Sequence, residues 1–369
     1  MYIYELRDWP HFTWQEAKIS DLLSEVSFLQ GKIIGKMAAL GFDFQQEAIL
    51  QNMTDEITKS SEIEGESLNT EQVRSSIARR LNIYSNNMVS SSHHIDGIVE
   101  MMIDATHNYK EEITLKRLCG WHAALFPTGY SGMYKIKVGE LRDDKDGPMQ
   151  VVSSDMRRTI VYYEAPSADK LDDYIKYFLH WANNETNINP IIKAAITHLW
   201  FITLHPFEDG NGRITRALTD MMLSKAENTP YRFYSMSAQI QKNKKEYYNV
   251  LENTQKGSLD ITNWLAWFLN CLVESITSSD ELVDKIIHKA LCWQEFNKTA
   301  LDKNQQKIIN MLLDGFEGNL TSSKWSKICK CSQDTATRSI KYLIENNILE
   351  QKGSGRSTHY VLKCGENVC

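Results

Sequence analysis

The chain is 369 residues long, 42% hydrophobic and 24% charged, with a formal net charge of −6. That length leaves room for two or three domains, and the composition is that of an ordinary soluble protein. A chain that is basic as a whole is excluded, though not a local basic patch. A membrane span is not expected, because no uninterrupted apolar run of about 18 residues occurs.

Met1-Tyr2-Ile3-Tyr4-Glu5 has neither the basic nor the apolar region of a secretory leader. Seven cysteines occur without a CxxC pair, and just Cys329 and Cys331 lie close together. Free thiols in a reducing cytoplasm are the expectation. There is no Walker A string, no HExxH and no internal repeat.

In chain order, Thr13-Trp14-Gln15-Glu16 has the form of a capping box. Ile19, Leu22, Leu23, Val26, Leu29, Ile33 and Ile34 follow at helical spacing, and Gly41 ends that helix. A second helix is expected from about Gln45 toward Lys59. Ser60-Ser61-Glu62-Ile63-Glu64-Gly65-Glu66 comes next. It offers a capping box between Ser61 and Glu64, but Gly65 makes a poor helix interior. Asn69-Thr70 caps a helix from Glu71 to Leu81, whose Arg74, Arg79 and Arg80 form a solvated face or turn toward a nucleotide. Residues 85–92 are rich in Ser and Asn and read as a linker. Another helix covers roughly His93 to Tyr109; the adjacent His93 and His94 diverge on it and do not share a metal. Thr114 opens a helix through Phe126. Between Pro127 and Ala165 the helical period disappears. Met149, Val151 and Val152, then Ile160, Val161, Tyr162 and Tyr163, read as short strands with a turn at Ser153-Ser154-Asp155.

Asn189-Pro190 is a cap followed by proline at the first helical position. Ile191, Ile192, Ala194, Ala195, Ile196, Leu199, Trp200 and Ile202 make the helix apolar on nearly every side, hence buried. The string His205-Pro206-Phe207-Glu208-Asp209-Gly210-Asn211-Gly212-Arg213-Ile214-Thr215-Arg216 follows, and Ala217, Leu218, Met221 and Met222 continue a second helix. Arg213 and Arg216 share a face of that helix in its first turn, where the helix dipole disfavours cations. Gly210-Asn211-Gly212 lets the backbone turn sharply and present bare N–H groups. Free amides, a positive helix end and two guanidiniums describe an anion site. Glu208 and Asp209 add carboxylates, one of which suits a hard cation such as magnesium shared with phosphates. His205 has the ordinary pKa of a proton acceptor near neutrality. Taken singly, the glycines are a C-cap and His205 a structural histidine; their concentration in one turn favours phosphate handling.

Gln239 to Gln255 reads as a helix holding Tyr247 and Tyr248, either a core tyrosine or a lining for a nucleotide. Ile261 to Leu272 is strongly apolar, and a longer helix is expected from about Glu281 to Phe296. From Asn304 three short helices follow, the third capped by Ser332. Ile348-Leu349-Glu350-Gln351 and Thr358-His359-Tyr360-Val361-Leu362 then flank Gly353-Ser354-Gly355-Arg356. Three helices and a two-stranded wing resemble a winged helix. Residues 303–364 carry ten Lys and Arg against five Asp and Glu, with Arg338, Lys341 and Arg356 as candidates for phosphate contact. DNA contact and protein docking stand equal.

The string from His205 to Arg216 matches the Fic motif, His-x-Phe-x-Asp/Glu-Gly-Asn-Gly-Arg-x-x-Arg, at every fixed position, so the chain resembles the Fic family. The resemblance implies a mostly α, Fic-type helical bundle with a small β-hairpin flap, joined to a C-terminal winged helix. On this division residues 1–110 form an N-terminal helical domain, 111–300 the catalytic domain and 301–369 the winged helix. The implied reaction is transfer of AMP from Mg-ATP to a Tyr, Ser or Thr hydroxyl of a target protein, with release of pyrophosphate. By the same resemblance His205 is the general base, and Asp209 holds Mg2+. Gly210, Asn211, Gly212, Arg213 and Arg216 bind the nucleotide's phosphates, while Phe207 anchors the turn. Ser60, Glu64 and Gly65 fit the family's inhibitory motif, Ser/Thr-x-x-x-Glu-Gly/Asn. In it the glutamate pairs with the second motif arginine, here Arg216, in competition with the γ-phosphate. Met149, Val151 and Val152 fall in the flap, which holds a target segment by strand addition. Alternatives are another nucleotide donor, removal of AMP, or a DNA-binding regulator in which the Fic domain senses a nucleotide. Self-modification and a homodimer are left open.

Overall fold

A computed structural model describes residues 1–39, 41–83, 88–155, 158–313, 315–316 and 318–363. It divides into two units, Met1–Asp280 and Glu281–Cys369. The class is mostly α, as expected, and the described strands pair as two-stranded antiparallel hairpins.

The first unit begins with α1 (Glu16–Ala38), α2 (Phe42–Ile63), α3 (Thr70–Arg80), α4 (His93–His107) and α5 (Leu115–Leu125). Strands β1 (Tyr130–Ser131), β2 (Tyr134–Lys135), β3 (Gln150–Asp155) and β4 (Arg158–Glu164) follow. Then come α6 (Leu171–Asn184), α7 (Pro190–Leu204), α8 (Asn211–Glu227), α9 (Met236–Lys242), α10 (Lys244–Gln255) and α11 (Thr262–Phe296), whose last residues belong to the second unit. Helix α7 is the core element: every residue from Ala194 to Leu204 is buried. Asn189 Oδ1 accepts from the Ile191 N–H (2.9 Å), and Pro190 occupies the position where a missing N–H costs nothing. Its Trp200 and Phe201 are fully buried, as are Phe178, Trp264 and Phe268 packed around it. Trp264 Nε1 donates to the Ala195 carbonyl (2.9 Å), so its polar edge is paired inside the core.

Helix α2 buries polar as well as apolar residues. Through Glu56, which accepts from Ser235 Oγ (2.8 Å) and the Ser237 N–H (2.9 Å), α2 is tied to the start of α9. It closes in a Schellman turn. Gly65 takes φ +83°, the Glu66 N–H donates to the Ser61 carbonyl (3.0 Å) and the Gly65 N–H to the Glu62 carbonyl (3.0 Å). The expected capping box of Ser61 with Glu64 therefore does not form; this stretch ends a helix and opens none.

Other local expectations are corrected by long-range contacts. Thr13 caps nothing, since its N–H donates to the Leu259 carbonyl (2.8 Å) and Gln15 is the residue that precedes α1. Arg74 pairs with Glu47 (2.6 Å), and Arg79 and Arg80 with Asp96 at the start of α4 (3.7 and 3.1 Å). These arginines tie helices together, and none of them forms a bare face. The expected turn at Ser153-Ser154-Asp155 is strand, because β3 runs to Asp155. Val151 pairs with Tyr163 and Val152 with Val161, which leaves Tyr162 as a bulge. Residues 85–87 of the expected linker lie outside the described residues. The helix expected across 239–255 is two, α9 and α10, and the two segments expected across 261–296 are the single α11.

The second unit holds α12 (Lys303–Leu313), α13 (Ser322–Cys329) and α14 (Gln333–Glu345), then β5 (Leu349–Lys352) and β6 (His359–Leu362). The strands pair with Leu349 opposite Leu362. Its core is built on Ile308, Ile309, Trp325, Ile340, Leu343 and Leu349. Arg338 and Lys341 are exposed on α14, and the Arg356 side chain lies outside the described residues. Cys119, Cys271, Cys329 and Cys331 are free thiols. Among the described residues no helix is long and apolar enough to cross a membrane.

Candidate functional site

The turn between α7 and α8 carries two left-handed residues, His205 (φ +47°) and Gly210 (φ +76°). At 210 only glycine fits, since an added Cβ would lie 2.9 Å from the Phe126 ring. At 205 an L-residue is held where it costs about 1–2 kcal/mol. The turn is restrained residue by residue. The His205 carbonyl accepts from Arg142 Nε (2.8 Å) and the Pro206 carbonyl from the Arg142 N–H (3.0 Å). Asn211 accepts from the Phe207 N–H (3.0 Å) and donates to the Phe207 carbonyl (2.7 Å). Glu208 accepts from the Lys137 N–H (2.9 Å). The Asp209 carboxylate accepts from the Ser131 hydroxyl, and its carbonyl from His122 Nε2 (3.2 Å). Phe207 is fully buried and stacks on His122 with ring centroids 4.4 Å apart.

His205 Nδ1 faces the Ile202 carbonyl at 3.3 Å. A carbonyl accepts only, so Nδ1 carries the proton and Nε2 keeps its lone pair. Burial, with the Arg142 charge adding to it, pushes the His205 pKa down to about 4, so the ring is neutral at pH 7. It lines a cavity of about 800 Å³ together with Glu64, Asp209, Asn211 and Gly212. Met149, Val151 and Val152 of the hairpin line the same cavity. Tyr247 and Tyr248 line it too, Tyr248 with a partly exposed ring and Tyr247 buried, its hydroxyl meeting His198 Nε2 (2.9 Å).

Both motif arginines are buried and turned inward. Arg216 donates from Nε to Ser60 Oγ and from one terminal nitrogen to the Ser60 carbonyl, each at 2.8 Å. The same nitrogen pairs with Glu64 Oε1 at 2.8 Å. The Glu64 carboxylate rests on α8 where a side chain on Gly212 would be: an added Cβ would meet Oε1 at 2.0 Å. First-turn amides have no partner within a helix, so this carboxylate sits where an anion gains most. Arg213 pairs with Glu66 (2.9 Å) and lies over the Phe126 ring, while its Nε is buried without a partner. Glu66 also meets His94 Nε2, and these two partners hold its carboxyl below the usual range, His94 contributing most. Thus Ser60 and Glu64 meet Arg216, and Gly65 ends the helix that carries them. Glu66, His122, Ser131 and Arg142 had no role assigned from sequence; no local period marks them, and their contacts to the motif span 63 residues or more.

Burial leaves two fully enclosed histidines neutral behind the site. The His122 pKa is lowered to about 4 and that of His198 to about 3. In the unfolded chain both protonate near pH 6.5. Between that value and the folded pKa the unfolded state binds more protons, so stability is full above pH 6.5 and falls as pH drops toward 4. At pH 5 each histidine is expected to remove on the order of 2 kcal/mol. Urea unfolding at pH 7 and pH 5 checks this; equal midpoints would reject it.

Residues 112–223 match the Fic/DOC family, and residues 2–83 a domain of unknown function, DUF4172. The chain is 26% identical over 239 residues to the protein adenylyltransferase Fic of Drosophila grimshawi, which covers 63% of this chain and 43% of that protein. It is 26% identical over 119 residues to a probable protein adenylyltransferase of Aquifex aeolicus, over 32% of this chain and 35% of that one. The chain thus spans less than half the length of these curated relatives. Among solved structures, a Fic family protein from Desulfovibrio desulfuricans G20 shares the fold with a TM-score of 0.54 at 19% identity, over 96% of this chain and 98% of the other.

Proposed function

We propose, for a chain whose residues 112–223 match the Fic/DOC family, transfer of AMP from Mg-ATP to a protein hydroxyl, held off in this conformation by Glu64. One observation carries the reading: the Glu64 carboxylate lies on Gly212 and Arg216 in the cavity that His205 lines. An anion site with a proton acceptor in it suits in-line attack on a phosphate. The hydroxyl oxygen bonds to the α-phosphorus, its proton passes to His205 Nε2, and the bond to the bridging oxygen breaks to release pyrophosphate. The amides of the first turn of α8, with Arg213 and Arg216, stabilise charge on the phosphates. Asp209 would hold Mg2+, which supplies charge neutralisation there. Among the described residues no group of three or more His, Cys, Asp or Glu forms a metal cluster. A lone carboxylate fits a cation that takes its other ligands from phosphate and water. Met149, Val151 and Val152 would present the target segment. Label on protein from α-labelled ATP, and none from γ-labelled ATP, is the deciding result; the reverse pattern would reject AMP as the group transferred. We read the second unit as a winged helix that docks DNA or protein. A DNA-binding assay at stated salt, with residues 301–369 deleted as control, separates these.

The pairing of Glu66 with Arg213 supports a second hold on the phosphate site. Glu66 is partly exposed, so the pair is worth about 1 kcal/mol, or roughly fivefold in affinity. Adding Glu66→Gln to Glu64→Gly is expected to tighten ATP binding by about that factor. Calorimetric titration with a non-hydrolysable ATP analogue checks it, and equal affinities would remove Glu66 from the inhibitory set.

A further inference from the structure

Arg142 lies behind the turn with its side chain 1% exposed, and all three guanidinium nitrogens are engaged. Nε donates to the His205 carbonyl (2.8 Å), one terminal nitrogen pairs with Asp144 (2.7 Å) and the other donates to the Pro166 carbonyl. Its backbone N–H donates to the Pro206 carbonyl (3.0 Å). Asp144 is fixed in turn, since its second oxygen accepts from the Ala168 N–H (2.6 Å). Burying such a pair is costly, and an apolar filling is often as stable. What the cation does here that an apolar side chain cannot is donate to the His205 carbonyl, while the backbone N–H of the same residue, which an apolar residue would keep, holds the next carbonyl, that of residue 206. With both peptide planes fixed, and φ of Pro206 fixed by its ring, His205 has no freedom to relax from φ +47°, ψ +56° into the right-handed region. Such a relaxation would swing Cβ and carry the imidazole away from the cavity.

We propose that Arg142 is a positioning residue for the transfer reaction: it locks His205 in the left-handed geometry that aims Nε2 into the cavity. This rests on the reading of His205 as the base. Arg142 does not line the cavity, so it acts through the turn and not on the nucleotide.

The test uses the full chain carrying Glu64→Gly, with Arg142→Gln or Arg142→Lys added. Three quantities are measured: single-turnover transfer at saturating ATP, the ATP dissociation constant, and titration of the His205 imidazole by NMR. Transfer is expected to fall on the order of 10²-fold, the usual effect of a reacting group misplaced by about 1 Å. The ATP dissociation constant is expected to stay within about twofold, the pattern of an interaction that acts in the transition state. The His205 pKa is expected to rise from about 4, because the opposing charge weakens and the turn opens to water. Lysine keeps the charge but lacks the planar fork, so Arg142→Lys recovers little; it also supplies the readouts if Arg142→Gln does not fold. Loss of ATP binding in step with transfer would mean a general structural role and overturn the proposal. So would unchanged transfer with an unchanged His205 titration. If the Glu64→Gly chain binds ATP yet transfers no AMP, the reading of His205 as base has failed. The titration in Arg142→Lys, which keeps the charge, then decides Arg142 alone: a raised pKa supports positioning, and an unmoved one overturns it.

Discussion

Glu64→Gly is expected to raise AMP transfer from α-labelled ATP about five- to thirtyfold, which corresponds to about 1–2 kcal/mol for the pair it removes. The upper figure for a charged hydrogen bond is discounted because the Glu64 side chain is 33% exposed, although Arg216 is 3% exposed. Removing one partner of a buried pair is ordinarily destabilising, since it orphans the other. Here Arg216 keeps Ser60 Oγ and the Ser60 carbonyl, so thermal stability should change little. Glycine also suits the backbone, which at residue 64 lies at φ −86°, ψ +6° beside the left-handed Gly65. Two effects act together in the variant: Arg216 becomes free for phosphate, and the space on Gly212 empties. Glu64→Gln separates them, because the amide removes the charge and keeps the volume; its gain is expected to be smaller. Equal labelling by parent and Glu64→Gly, with ATP bound equally by both, would remove Glu64 as an inhibitor.

The features legible in the sequence are those with a local cause. Asn189-Pro190, Asn69 and Thr114 start helices as their side-chain chemistry requires, because a cap and its partner lie two or three residues apart. The tight turn between α7 and α8 is legible for the same reason, with its glycines and arginines inside one short stretch. The long-range pairing of Ser60 and Glu64 with Arg216 could be expected through family resemblance alone. Residues that restrain the turn from outside gave no such signal. Arg142 sits in a stretch without period, His122 reads as one more helical residue, and Ser131 belongs to a two-residue strand. Their importance comes from meeting residues 205–209 in space, and spacing along the chain does not encode that. The strand at Ser153–Asp155 was misread because Ser and Asp signal turns locally, whereas the ladder with β4 overrides them. Helix α11 was split at a polar stretch for the same kind of reason: the apolar pattern weakens there while the backbone continues.

His205→Ala, tested in the Glu64→Gly chain, is expected to lower transfer by about 10²–10⁴-fold, the usual range for a general base. ATP affinity should stay within about twofold, because the loss falls on the chemical step. The substitution has a backbone effect to be kept apart from the chemical one. Residue 205 is left-handed at φ +47°, where alanine is less at ease than asparagine. His205→Asn is therefore the companion variant: it tolerates the turn, fills much of the ring's space and accepts no proton. Equal losses in the two variants assign the effect to the base; a loss in alanine alone assigns it to the backbone. The pH profile adds a further constraint. With the folded pKa near 4, the neutral, proton-accepting form persists across pH 6 to 8, so its limb of the profile should be flat there and fall as pH drops toward about 4. A limb near pH 6.5 would mean that the ring is solvated when it reacts, and that nucleotide binding opens the turn. Retained labelling in both variants would mean that the target hydroxyl gives up its proton without His205, and the catalytic assignment would fail.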